Sequence, residues 1–162
     1  MKLLEFFGST QVRPAAYVRR AWLVATVPAL LYFFVLVAIG VDTLRPRALD
    51  AALAAYSVLI APLLETALML ALALLLELMF PRHEGIRIVL LTATCALAHK
   101  FGGGWQQVFA SAWPFLIYSM TLTAWLKQSS RAAFVLTALV HALYNATFVA
   151  VGVVAFLLTV AA

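Results

Sequence analysis

AALAAYSVLIAPLLETALMLALALLLELMF, residues 51–80, decides what kind of protein this is. Within it the only ionisable acids are Glu65 and Glu77, and no base interrupts it. At about 1.5 Å per helical residue, such a run outreaches a hydrocarbon core of about 30 Å. It reads as one tilted membrane span, kinked where Pro62 has no N–H to give its own helix.

Outward from this run the chain repeats the same theme. Upstream, beyond the polar connection Asp42–Asp50, lies the apolar run Ala21–Val41, which contains Pro28. A secretory signal has an apolar stretch of about 7–15 residues and a small-residue cleavage site. Ala21–Val41 is longer and has no convincing site, so it reads as an uncleaved anchor. Downstream, past a loop at Pro81–Gly85, comes the short run Ile86–Lys100, taken to residue 104 with its glycines. Spans at 108–125, with Pro114 inside, and 132–160 follow. The expected fold is therefore all-α, a polytopic integral membrane bundle of about five transmembrane helices. Residues 21–160 form its single domain. Residues 1–20 form a cytoplasmic or interfacial segment, with Leu3, Leu4, Phe6 and Phe7 at the membrane surface. Trp22, Trp105 and Trp125 fall at expected span ends, where amphipathic rings favour the headgroup level.

Composition excludes the alternatives. Of 162 residues, 66% are hydrophobic and 10% charged, with a mean hydropathy of +1.06. A soluble domain runs at about 45–50% apolar and about 25% charged. A chain this small cannot bury the excess, so a water-soluble globule, a disordered tail and a disulfide mini-protein are excluded. A β-barrel would show alternating segments of about 10 residues, and none are present. With one cysteine, Cys95, there is no internal disulfide.

Eleven Lys and Arg stand against six Asp and Glu, for a net charge of +5. No basic run is interleaved with aromatics, so nucleic acid is not an expected partner; the partner is the lipid bilayer. With the N-terminus inside, the inner loops hold Lys2, Arg13, Arg19, Arg20, Arg82, Arg87, Lys127 and Arg131. The outer side holds Arg45, Arg47 and Lys100. That bias predicts a cytoplasmic N-terminus and an outer C-terminus, in what is expected to be a bacterial inner (plasma) membrane.

Inside lipid a charged or strongly polar side chain costs about 2.5–3.5 kcal/mol on insertion scales. Four fall within the expected spans: Glu65, His99, His141 and Asn145. Glu77 is near a helix end and can snorkel; His83 is in a loop. Counted from the inner ends at about 1.5 Å per residue, Glu65 lies about 22 Å up, His99 and Asn145 about 20 Å, and His141 about 14 Å. His141 and Asn145, at i and i+4, share one helix face, as do Cys95 and His99. Singly, each has a bland reading: a protonated Glu between helices, a His on a carbonyl, an Asn as packing glue. At one depth on three helices, they mark a site. Its chemistry stays open among three schemes. Glu65, His99 and His141 form a zinc-type ligand set with a position left for water. Alternatively, Glu65 is a general base, one His orients a water, and the other His and Asn145 donate to an oxyanion. The third is a proton relay.

At these residues the sequence resembles the CAAX protease and bacteriocin-processing (CPBP, or ABI) family of intramembrane endopeptidases. That family carries Glu-Glu-x-x-x-Arg, Phe-x-x-x-His and His-x-x-x-Asn/Asp in order. Here the first looks like Ala61-Pro62-Leu63-Leu64-Glu65-Thr66, the second like Cys95-Ala96-Leu97-Ala98-His99, and the third like His141-Ala142-Leu143-Tyr144-Asn145. The resemblance covers about Ala61 to Val153. It implies that Glu65 and His99 activate a water while His141 and Asn145 hold the scissile carbonyl of a membrane-anchored or lipid-bearing peptide. It also implies an all-α cavity opening to one leaflet. Thr66, Leu70 and Cys95 replace the second Glu, the Arg and the Phe of the pattern, and the family often has more helices. Two other readings use the same scaffold: a non-catalytic membrane binding or immunity protein, and a sorting enzyme with Cys95 as nucleophile beside His99.

Overall fold

The computed structural model describes Phe7, residues 11–39 and residues 51–160; among these residues the chain is helical and has no strand. The helices are α1 (Pro14–Ala38), α2 (Ala51–Met79), α3 (Glu84–Ala98), α4 (Lys100–Leu126) and α5 (Ser130–Val160). Three of them, α1, α2 and α5, are long and apolar enough to cross a membrane. α3, with 15 residues, is about 22 Å long and falls short of a hydrocarbon core. α4 is interrupted at Gly104, whose φ of 67° and ψ of −163° lie in territory open to glycine. By length and composition three of the described helices qualify as spans, beside the five or so that the sequence suggests.

α4 is the central post and touches every other helix. Its second half is buried on all sides, including Ile117, Tyr118, Leu122 and Trp125. Hydroxyls and small residues let its neighbours approach closely. Ser111 donates to Val108 O at 3.1 Å and Thr121 to Ile117 O at 2.8 Å, so these hydroxyls are satisfied within the helix.

Several boundaries differ from expectation. α1 starts seven residues before Ala21, because Pro14 at the first helical turn presets φ and the exposed Arg19 and Arg20 are good helix formers. α4 starts at Lys100 rather than 108, because only Gly104 leaves helical geometry. The end of the first expected span, at Val41, lies outside the described residues. Two aromatics expected at the surface are interior. Phe7 and Trp125 are 2% and 3% exposed, packing edge-on against the two sides of Tyr17 at 6.1 and 5.3 Å. Trp22 is only partly buried, yet its indole donates to Thr147 Oγ1 at 3.2 Å rather than to headgroups.

One end of the bundle gathers charge. Arg87 Nη1 meets Glu77 Oε1 at 3.0 Å, pinning the start of α3 to the end of α2. Glu77, expected to snorkel, is thus paired. Lys127 Nζ meets Glu84 Oε2 at 2.7 Å, which joins the α2–α3 turn to the α4–α5 turn.

The deeper constraint is the backbone. In lipid every carbonyl must find a donor inside the protein, and each proline removes one. Pro28 has no N–H for Val24 O, four residues back in α1. Trp113 Nε1 of α4 supplies it at 2.9 Å. Pro62 does the same in α2. There, Tyr56–Ile60 widens into a π-turn, with the Ala61 N–H reaching Tyr56 O. In that i→i+5 register the carbonyl facing Pro62 is Ser57 O rather than Val58 O. Asn145 Nδ2 of α5 donates to it at 2.8 Å. Two prolines are thus repaired by side chains of other helices, and each repair docks a helix.

Trp113→Phe is expected to lower stability by about 1 kcal/mol, measured by reversible unfolding in mixed micelles. Pro28→Ala restores the N–H, so in that background the loss shrinks; strictly additive losses in the double-mutant cycle would contradict the repair. Asn145→Leu, set against Pro62→Ala, is expected to behave in the same way.

Candidate functional site

Chain reversal places the first two groups. Glu65 lies fourteen residues before Met79, and His99 fifteen after Glu84. In an antiparallel pair both therefore sit about 21–22 Å from the shared turn. His99 Nε2 is 4.0 Å from Glu65 Oε2. The second hairpin brings His141. It stands eleven residues into α5, level with Phe115, eleven residues before Leu126 of α4. Its Nε2 is 3.7 Å from the same Glu65 Oε2. One carboxylate oxygen thus faces two imidazoles carried by different helices.

The imidazoles are held differently. His99 is the single residue between α3 and α4. Its Nδ1 lies 2.9 Å from Cys95 O. A carbonyl only accepts, so Nδ1 carries the proton, and in the neutral ring Nε2 presents a lone pair toward Glu65. The spacing of Cys95 and His99 thus reflects a backbone bond, and Cys95 itself packs against the hydrophobic core. His141 is 4% exposed, and its Nδ1 has no hydrogen-bond partner in the protein. Tyr118 stacks on it at 4.5 Å and 26°, and Phe115 lies 4.9 Å from the His99 ring. Phe115 and Tyr118 thus form one wall for both imidazoles.

Beyond them opens a cavity of about 540 Å³, within the range of small-ligand and peptide pockets. It lies in the half of the bundle away from the Glu84–Lys127 link. α1 contributes Tyr32, Phe33 and Leu36; α4 contributes Gln106, Gln107, Ser111 and Tyr118; α5 contributes His141, Tyr144 and Asn145. His99 is at its wall, while Glu65 stands behind the imidazoles and is not among the lining residues. Glu65 Oε2 is buried and has no hydrogen-bond partner. Asn145 lines the cavity, but one of its two amide protons goes to Ser57 O.

The departures from the motif pattern also have places. Thr66 is fully buried beside Glu65 in sequence, and its Oγ1 has no partner. Leu70 packs against the core. Gln106, Gln107, Tyr118 and Tyr144 escaped sequence reasoning. The paired glutamines directly after the glycines were the available signal; the tyrosines look like ordinary packing until the fold sets one against a histidine.

A tetrahedral zinc with bonds of about 2.0–2.2 Å needs its donors about 3.3–3.6 Å apart. The carboxylate-to-imidazole separations of 3.7 and 4.0 Å are wider. Among the described residues no group of three His, Cys, Asp or Glu closes to a metal-holding arrangement. The set Glu65, His99 and His141 as it stands does not fit a closed zinc centre. The same separations do suit a bridging water, which sits about 2.8 Å from each partner.

Comparison with family models, with curated proteins and with solved structures finds no match to this chain.

Proposed function

We propose that this chain is an intramembrane endopeptidase that hydrolyses a membrane-anchored or lipid-bearing peptide with a water activated by Glu65 and His99. The observation that carries the reading is the convergence of one buried, unpartnered carboxylate oxygen on two imidazoles, with a cavity beyond them. It is set in a bacterial inner membrane with its N-terminus cytoplasmic. Supporting this, Arg82, Arg87, Lys127 and Arg131 gather at the end joined by the Glu84–Lys127 pair. α3 and the interrupted α4 complete the five-helix bundle as the less apolar members.

In the proposed reaction the water gives one hydrogen to Glu65 Oε2 and points the other at His99 Nε2. Glu65 takes its proton as the water oxygen bonds to the scissile carbonyl carbon. The carbonyl π pair moves onto its oxygen, which His141 and the remaining Asn145 proton stabilise. When the carbon–nitrogen bond breaks, its electron pair stays on nitrogen, and the proton held by Glu65 passes to it. The products are a carboxylic acid and an amine. His99 has an orienting role that its Nδ1–H bond to Cys95 O supports. No step passes through Cys95 or a metal.

A second reading has a specific observation behind it. Thr66 and Leu70 stand where the resembled family has Glu and Arg, and half of Asn145's donor capacity is spent on Ser57. A cavity that binds an apolar peptide without cutting it, as a binding or immunity protein would, is consistent with both.

The test is cleavage of a lipid-anchored, internally quenched peptide pool by the chain in proteoliposomes. Glu65→Gln is expected to lower the rate by about 10²–10⁴-fold. Equal rates for Glu65→Gln and wild type would end the protease reading, and retained crosslinking of the peptides by both would favour binding. A zinc chelator and Cys95→Ser are each expected to leave the rate within about twofold; a large loss in either arm would bring back the metal or thiol scheme.

A further inference from the structure

Asn145 cannot give both its amide protons to a substrate, because Ser57 O takes one. On α5 the oxygen of a scissile carbonyl is left with His141 and a single Asn145 proton, and a further donor on a neighbouring helix would strengthen its hold. We infer that Tyr118 is a further catalytic residue, its phenol O–H donating to that carbonyl oxygen as negative charge develops on it. This inference rests on the hydrolytic reading of the site.

Four observations on α4 and α5 lead to it. Tyr118 is 1% exposed and lines the cavity beside His141 and Asn145. Its hydroxyl has no hydrogen-bond partner in the protein. Its ring is clamped: it stacks on His141 at 4.5 Å and meets Phe115 edge-on at 5.5 Å and Tyr144 at 6.1 Å. The His141 ring that it covers has its Nε2 3.7 Å from Glu65 Oε2.

Together these describe a donor fixed in place and kept dry. An unpaired phenol in a buried place costs free energy that a phenylalanine in the same hole would not. The hydroxyl is therefore accounted for by a partner that arrives with the substrate. Preorganisation is what such a donor needs, since a group aimed before the reaction has no reorganisation left to undergo as charge develops. The ring stack also links it to the chemistry. The imidazole it covers is one of the two that face Glu65, so donor and base belong to one unit across α2, α4 and α5.

Tyr118→Phe keeps the ring and its packing and removes only the hydroxyl. In proteoliposomes of phosphatidylethanolamine and phosphatidylglycerol, with the same lipid-anchored peptide pool, kcat is expected to fall by about 10²–10³-fold. KM is expected to stay within about threefold and unfolding in micelles to be unchanged or later, because a loss confined to the transition state leaves ground-state binding alone. Tyr118→Phe at wild-type kcat, with Glu65→Gln inactive, overturns the role of Tyr118 and leaves the hydrolytic reading standing. Wild type no faster than Glu65→Gln overturns both. Should Tyr118→Phe fail to fold, trifluorotyrosine at position 118 keeps shape and hydroxyl but ionises at lower pH. The alkaline limb of kcat/KM is then expected to move to lower pH, and an unmoved limb overturns the inference.

Discussion

A proline inside an apolar helix leaves one carbonyl without its helical donor, and two such carbonyls are met by side chains of other helices in this bundle. Val24 O, orphaned by Pro28, takes the indole N–H of Trp113. Ser57 O, orphaned by Pro62 once the π-turn sets the register, takes the amide of Asn145. A helix–helix contact made only of apolar side chains slides easily, since lipid tails are as good a neighbour as leucine. A donor aimed at one particular carbonyl does not slide. The first repair fixes α1 against α4, the second fixes α5 against α2, and the cavity lies among α1, α4 and α5 with Asn145 on its wall.

The same constraint explains what could be read from residues and what could not. The helical class follows from hydropathy, because in lipid a backbone has few other ways to satisfy itself. The meeting of Glu65 with His99 follows almost by counting, since both lie about the same distance from one short turn. His141 adds only a second hairpin. By contrast, Asn145 as a partner of Ser57 was not legible. It depends on a π-register that no periodicity announces, and in an α-register the orphaned carbonyl would have been that of Val58. Three successive glycines look like a loop and set the expected start of α4 too late, whereas only Gly104 takes a conformation that breaks a helix. Sequence places Phe7 at the surface as part of an apolar interfacial segment, and Trp125 there by the preference of amphipathic rings for the headgroup level. Tyr17, lying between them, draws both inward. The number of helices that cross the bilayer is less legible, since α3 is short and the second half of α4 is covered by protein, where an apolar surface is not needed.

The distribution of unsatisfied polar atoms carries the last step. Ser and Thr hydroxyls without partners, such as those of Thr26, Thr66 and Thr137, need only a χ1 rotation to reach a carbonyl of their own helix. Rigid or charged groups have no such escape. Three of these, Glu65 Oε2, Tyr118 Oη and His141 Nδ1, belong to side chains in one small region where α2, α4 and α5 meet. The other rigid or charged groups lie elsewhere: Arg87 is engaged with Glu77 at the charged end, and the Trp125 indole N–H belongs to a ring packed against Tyr17. A bundle that brings indole and amide donors across helices to serve single carbonyls is not one in which unsatisfied groups accumulate by indifference. Their concentration beside a cavity is what a site looks like when its hydrogen bonds are reserved for something that enters it. Each side chain has its own part: the carboxylate can accept a proton, the phenol can donate a hydrogen bond, and the imidazole stacked between them can do either.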